Sequence, residues 1–388
     1  MKLQPLRKMY ILSFLFSLHI AISAYVNSTF LTGIISEKYV GILYTVGSLI
    51  ALIALSNTSL FLKYFGNKKL TLILLLINIS ALTGLISIKN PYIIGISFIL
   101  FITTNILIAF CIDIFIEQFG NPKTIGKTRG IYLTITNLAW MISPLITGFL
   151  LLKEGGYIAI YTIAFIATAI MILGLFLSVS TFIDKAYIKT PFLTTYNFLK
   201  NNRHIKAITI ISFTLNFFFA VMVVYIPLYL LDHVGIFWDK IGIIFTFMLA
   251  PFVLLSLPVG ALIDKYHIKK RTLLTIGILI ASLSTMSISF INTKSIMVWA
   301  IILFSTRIGA SIIETTSEIY FFSHVKEEET GLLSVFRDMA PVGYVVGTLF
   351  GTAFLSLFPF KYIFLTLGII VFSSLYYINQ LKHNHTEK

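Results

Sequence analysis

Twelve stretches of nearly uninterrupted apolar sequence, each close to bilayer length, constrain this chain more than any other feature. They start near Met9, Val40, Leu70, Pro91, Gly130, Gly156, Lys206, Phe237, Thr272, Ser295, Gly331 and Phe360. A hydrocarbon core takes roughly 20 apolar residues per helix, so each stretch reads as one membrane span. Breaks such as KYFGNKK, FGNPKTIGKTRG, LDHVGIFWDK and HVKEEETG separate them. Barrel strands are excluded, because the segments are too long and too continuously apolar to alternate. Of the 388 residues, 57% are hydrophobic and 11% charged, which leaves too little polar surface for a soluble architecture. The basic start MKLQPLRKMYILSF resembles that of a signal peptide. Its apolar run continues to about Ile35 with no small-residue cleavage site, so it reads as the first span.

The net charge of +14 does not indicate nucleic acid, because the basic residues form no single patch. They follow membrane topology instead. Of the 29 Lys and Arg residues, 22 fall in the loops on the side of both termini, six in the opposite loops, and Arg307 within a span. The positive-inside rule then places both termini in the cytoplasm, in a multi-pass protein of the plasma (inner) membrane. The longest connection, DKAYIKTPFLTTYNFLKNNRHIK, divides the chain into residues 1–183, a central loop 184–206 and residues 207–388, with six spans on either side. Its basic and aromatic residues fit a surface helix or a solvated linker equally well. The only cysteine, Cys111, permits no intramolecular disulfide and reads as core packing.

The two halves repeat at one offset. A shift of 201 carries Lys68 and Lys69 onto Lys269 and Lys270, Thr71 onto Thr272, Asp113 onto Glu314 and Glu117 onto Glu318. Only 15 acidic residues occur in the chain, so two matches at an unchanged offset point to a duplicated six-helix unit. The loop between the second and third spans of each half resembles the signature of the major facilitator superfamily. The C-terminal copy keeps Gly260, Asp264, Lys265, Lys269 and Lys270, with His267 in place of the second glycine. The N-terminal copy keeps Gly66, Lys68 and Lys69, with Ser59 and Lys63 in place of the first glycine and the aspartate. The resemblance implies an all-α membrane protein of twelve helices in two pseudo-symmetric six-helix bundles, which rock about a central cavity to give alternating access.

Most charges inside the spans lie near the ends facing the basic loops. Asp113 with Glu117, and Glu314 with Glu318, each place two carboxylates one turn apart on a helix face. Glu117 and Glu318 lie close to that end, where Arg129 and Arg337 enter the next spans. In the resembling family such pairs close the cytoplasmic gate, and a latch of Glu117, Glu318, Arg129 and Arg337 is expected. Arg307 differs: the offset places Ile106 opposite it, so it belongs to one half alone. An arginine at mid-span costs a few kcal/mol even on lenient scales. Steps of four, three and four align Arg307, Ser311, Glu314 and Glu318 on one stripe. Arg307 and Glu314 stand about 10.5 Å apart along the axis. A substrate site, a buried ion pair with a partner such as Asp113, and snorkelling are three readings of Arg307. Asp113 and Glu314 suit proton coupling or cavity polarity, with the latch as the alternative. His19 in the first span can relay protons or hold a structural hydrogen bond. Asn137, Asn105 and Asn216 suit cavity lining or interhelical hydrogen bonds.

No Walker loop, nucleotide fingerprint, metal-site spacing or intramembrane protease motif is present. The expectation is a secondary transporter, not an enzyme, with no cofactor and no metal. It would move a small solute by alternating access as a monomer, with proton coupling favoured and efflux a weaker expectation. The alternatives are a carrier for an organic anion anchored by Arg307, and a non-transporting scaffold or receptor on the same fold.

Overall fold

In a lipid interior each backbone N–H and C=O must be satisfied within the protein, which favours helices for a chain with no barrel pattern. The computed structural model describes residues 3–88, 90–119, 125–178, 202–324 and 330–381, and among these every regular element is helical. The chain runs through α1 (Leu3–Ala24), α2 (Asn27–Thr32), α3 (Glu37–Ser56), α4 (Thr58–Ser87), α5 (Pro91–Phe119), α6 (Ile125–Leu150) and α7 (Gly156–Ser178). It continues through α8 (Arg203–Leu228), a π-helical turn (Tyr229–Val234), α9 (Trp238–Asp264), α10 (Lys270–Ile288), α11 (Ile296–Phe322), α12 (Thr330–Leu357), α13 (Tyr362–Ser373) and α14 (Leu375–Ile378). Among the described residues eleven helices are long and apolar enough to cross a membrane, and Tyr362–Ile378 adds a shorter apolar stretch. Together they account for the twelve apolar stretches. The central loop expected at 184–206 lies outside the described residues except at its end, where α8 starts.

Three spans differ in detail from the expected ones, each for a local reason. The first does not run unbroken to Ile35: α1 stops at Ala24 and the short α2 follows. The Thr29 hydroxyl donates to the Val26 carbonyl, and Asn27 Oδ1 accepts from Tyr161 at 2.9 Å, so side chains share the bonding at the break. The second span is made in two pieces, α3 and then 58–65, with Asn57 Nδ2 donating to the Ile53 carbonyl at their junction. The last is split at Ser374, whose backbone N–H reaches back three residues to Val371.

The signature loops turn at equivalent points. Within α4 the helix breaks at Gly66, with φ 72° and ψ 161°, a conformation that costs glycine little. His267, which the 201 offset places opposite Gly66, is the one non-glycine residue with positive φ among the described residues, at 53°. Its turn closes with the Tyr266 N–H on the Ala261 carbonyl and the Ile268 N–H on the Leu262 carbonyl. Both copies thus take a positive φ at the same place, which in the C-terminal copy falls on a histidine. The offset also matches helix ends: α3 begins at Glu37 and α9 at Trp238, while α4 ends at Ser87 and α10 at Ile288.

The chain forms two compact units. One comprises Met1–Lys189 with Ile236–Thr246, the other Thr190–Gly235 with Phe247–Lys388. In the first unit α1 packs on α6 and α7, and α4 and α3 both pack on α5. Its core gathers Met9, Leu12, Phe16, Leu74, Phe115 and the buried Cys111. In the second unit α10 packs on α11 and α13, and α8 on α12. Helix α7 shows how such a chain is organised. Ile166, Ile170, Leu173 and Leu177 recur at steps of four, three and four and point outward, whereas Ala164, Thr168, Met171 and Leu175 are buried. Apolar side chains cover both faces, and the small or polar ones go inward, as packing in lipid favours. Lysines over neighbouring aromatic rings, Lys38 on Tyr39 and Lys361 on Tyr362, mark span ends at 4.9 and 5.0 Å.

Close backbone approach needs glycine at particular points. A Cβ on Gly309 of α11 would collide with the Ala281 nitrogen of α10. The GTLFG segment of α12 behaves similarly, since a Cβ on Gly351 would enter the ring of Tyr225 on α8.

Candidate functional site

In the second unit the polar residues of α11 converge on α8 and α9. Arg307 is 1% exposed, and its guanidinium carbon lies 5.1 Å from the Phe218 ring centroid and 5.5 Å from that of Phe219. A planar, weakly hydrated cation is well matched to aromatic faces, and desolvation strengthens the attraction. One turn along, the Ser311 hydroxyl donates to the Pro251 carbonyl at 3.3 Å. Pro251 lies inside α9, where its missing N–H frees the carbonyl one turn earlier and not the one that Ser311 meets. Glu314 follows on the same stripe, half-buried, within electrostatic reach of both Arg307 and Glu318. The stripe expected from helical spacing is therefore present, and at Arg307 and Ser311 it faces α8 and α9. Phe218 and Phe219 were not foreseen, because nothing marks them among the many aromatic residues of the apolar runs.

In the first unit a second polar group surrounds His19, which is 1% exposed. The Thr104 hydroxyl donates to the Leu100 carbonyl at 2.8 Å, so its oxygen accepts from Asn78 Nδ2, also at 2.8 Å. Asn78 Nδ2 donates as well to Asn105 Oδ1 at 2.9 Å, which turns that oxygen toward His19 Nε2, 2.9 Å away. The hydrogen on Nε2 follows from this chain of donors and acceptors. His19 Nδ1 lies 3.1 Å from the Thr168 hydroxyl oxygen and 3.2 Å from the Ala164 carbonyl. Phe16 and Phe101 flank the ring at centroid distances of 6.2 and 5.4 Å. His19 thus ties α1 to α5 and α7, and Asn78 extends the network to α4. Asn105 makes an interhelical bond, whereas Asn216 Nδ2 bonds the Ser212 carbonyl of its own helix. Periodicity gave no sign of Asn78 or Thr168, because one buried amide or hydroxyl barely alters a hydropathy window.

Asp113 is half-buried on α5, and Asn137 half-buried on α6. The gate residues are distributed as their numbering requires. Glu117 lies near the end of α5, Arg129 near the start of α6, Glu318 near the end of α11, and Arg337 in the early turns of α12. The side chains of Glu117, Arg129, Asp264 and Arg337 lie outside the described ones. In the signature loops Lys265 and Lys269 are exposed, while Lys68 and Lys270 are partly covered. Lys270 Nζ donates to Ser323 Oγ at 2.7 Å, joining the start of α10 to the end of α11. A Cβ on Gly260 would meet nothing within 4 Å.

The fold is shared with solved transporters. An auto-inhibited peptide transporter of the POT family superposes with a TM-score of 0.78 at 10% identity, covering 99% of this chain and 98% of that one. The POT family transporter PepTSo gives 0.76 at 12% identity, with 97% of each chain covered. The nucleoside transporter NupG gives 0.76 at 10%, covering 98% of this chain and 100% of the other. Compared by sequence with curated proteins, the chain has no match. The family model of the Major Facilitator Superfamily matches residues 9–336 and, in a second match, 239–388. With nearly the whole length matched and all twelve apolar stretches helical, the chain belongs to the major facilitator superfamily of membrane transporters, and is not an enzyme.

Proposed function

We propose that this transporter moves a small solute bearing an anionic group by alternating access, driven by proton coupling, with α11 supplying the principal site. The observation that carries this reading is Arg307: a buried cation at mid-span, set against Phe218 and Phe219, on a stripe with Ser311 and Glu314. An intramembrane arginine is costly, so its retention there favours a functional role. In this reading Arg307 receives the anionic group and Ser311 orients the α11–α9 contact. Glu314 and Asp113, the related carboxylates of the two halves, carry the proton, and His19 and Asn137 supply polar lining in the first unit. Glu117 with Arg129, and Glu318 with Arg337, act as latches at the ends of their helices.

The test is uptake and efflux in proteoliposomes, with and without an imposed pH gradient. Peptides, which carry a carboxylate, and organic acids are the anionic probes, and nucleosides are the uncharged comparison, because similar solved structures are transporters of peptides and nucleosides. A gradient should raise accumulation of at least one probe, and Glu314→Gln should remove that rise. Accumulation of no probe, with or without a gradient, would count against the transport site. Gradient-independent uptake of an organic anion that still requires Arg307 would favour the second reading, an uncoupled anion carrier. The aromatic setting of Arg307 supports that reading too, since it concerns the anion and not the proton.

A further inference from the structure

We propose that His204, Lys270 and His324, with Ser323, form a binding site for the phosphate of an anionic membrane phospholipid. The cluster lies in the second unit, where α8 and α10 begin and α11 ends. Lys270 Nζ bonds Ser323 Oγ at 2.7 Å, and Ser323 Oγ lies 3.1 Å from His324 Nδ1. The His204 ring lies 5.5 Å from that of His324, and His324 stacks on Tyr320 at 4.3 Å. Lys270 Nζ also stands 5.8 Å from the Tyr320 ring centroid. Three basic side chains and a hydroxyl thus form a continuous group, each basic one partly covered.

Partial cover distinguishes these residues from the exposed basic residues of the same loops, Lys265 and Lys269. The adjacent Arg271 is committed elsewhere, donating to the Asn379 carbonyl at 3.2 Å. The repeat sharpens the point. At the 201 offset Lys69 matches Lys270, but Leu3, Phe119, Pro122 and Lys123 stand where His204, Tyr320, Ser323 and His324 stand. The cluster is an addition to one half and not part of the shared machinery. Its chemistry, a lysine and two imidazoles, fits a phosphate group. The Ser323 hydroxyl donates to the Tyr320 carbonyl at 2.9 Å, which His324 Nδ1 also meets at 2.9 Å, and so holds Lys270 and His324 in place. Its position favours lipid over a soluble ion. Arg203 and Lys270 open the apolar spans Arg203–Val234 and Lys270–Ile288, which puts the cluster at headgroup depth. Basic pockets between helices at that depth are suited to anionic headgroups.

The test is thermal unfolding of the purified full-length protein in detergent, titrated with phosphatidylglycerol, phosphatidylcholine or inorganic phosphate. Phosphatidylglycerol should raise the midpoint well above either alternative. The double substitution Lys270→Gln with His324→Gln should weaken the apparent lipid affinity at least about fivefold, since loss of the lysine contact has that effect before the histidine is counted. Lys63→Gln, an exposed basic residue of the first unit, should leave it unchanged. The proposal fails if phosphatidylcholine stabilises equally, or if Lys63→Gln weakens the response as much as the double substitution. Equal stabilisation by inorganic phosphate would make it a soluble-anion site and overturn the lipid assignment. Should the double variant not fold, His204→Gln alone is read by the same titration, and an unchanged response would sink the idea.

Discussion

Arg307 owes its setting to two aromatic rings of α8, and that setting makes its chemistry separable from its charge. Arg307→Lys keeps the cation but loses the planar face, and a desolvated cation–π contact contributes about 2 kcal/mol. Uptake is therefore expected to fall at least about tenfold with folded protein retained, while Arg307→Ala abolishes uptake. Loss of monodisperse protein in size-exclusion chromatography, instead of loss of transport, would make Arg307 a structural residue. His267 gives a stability prediction. Its left-handed φ of 53° costs a non-glycine residue roughly 1 kcal/mol, so His267→Gly should raise the unfolding midpoint by a few degrees. His19 should behave oppositely. Removing its hydrogen bonds to α5 and α7 and its packing on Phe16 and Phe101 is expected to cost about 2–3 kcal/mol in His19→Ala. A drop in midpoint measured by thermal scanning would confirm it, and an unchanged midpoint would refute the structural weight given to the network.

Helix contacts in the second unit depend on missing side chains as much as on those present. Helices α10 and α11 meet where a Cβ on Gly309 would collide with backbone, so relief requires moving a whole helix. Gly309→Leu should therefore cost 3 kcal/mol or more by rough analogy with overpacked cores, and sharply lower the yield of folded protein. Gly260 belongs to the signature loop, yet a Cβ there meets open space, so Gly260→Ala should fold and unfold like the parent. Comparing the two by fluorescence-detected chromatography separates a packing requirement from a motif requirement. If Gly309→Leu matched the parent, the close approach of α10 and α11 would not be needed for folding. The π-helical turn at Tyr229–Val234 shows another local decision. Pro227 leaves the ladder without a donor one turn earlier, and Gly235 at φ 75° then ends the helix.

Across the whole molecule, the basic-loop count makes a claim about orientation that labelling can check. A cysteine at Lys294 should react with a membrane-impermeant thiol reagent added to intact cells, and one at Lys63 should not. The native Cys111 is buried and should contribute no background. The reverse pattern would invert the topology. Apolar length, scarcity of charge and the 201 offset were enough to establish twelve helices and a duplicated unit, because membrane spans are specified locally, by the need to satisfy the backbone within each segment. The offset also aligned Gly66 with His267, and the structure gives both a positive φ. The spacing of Arg307, Ser311, Glu314 and Glu318 put the stripe on one face, because helical geometry is fixed by residue number alone. What that face meets was not legible: Phe218 and Phe219 are unremarkable in an apolar run. Asn78, Asn105 and Thr168 became partners of His19 only through helix packing, and His204 reached His324 across more than a hundred residues. The sequence by itself determined how many apolar spans there are, how they repeat and which residues share a face. Only the tertiary structure decided which faces meet, because contacts between helices depend on rotation and close approach, and no linear spacing records either.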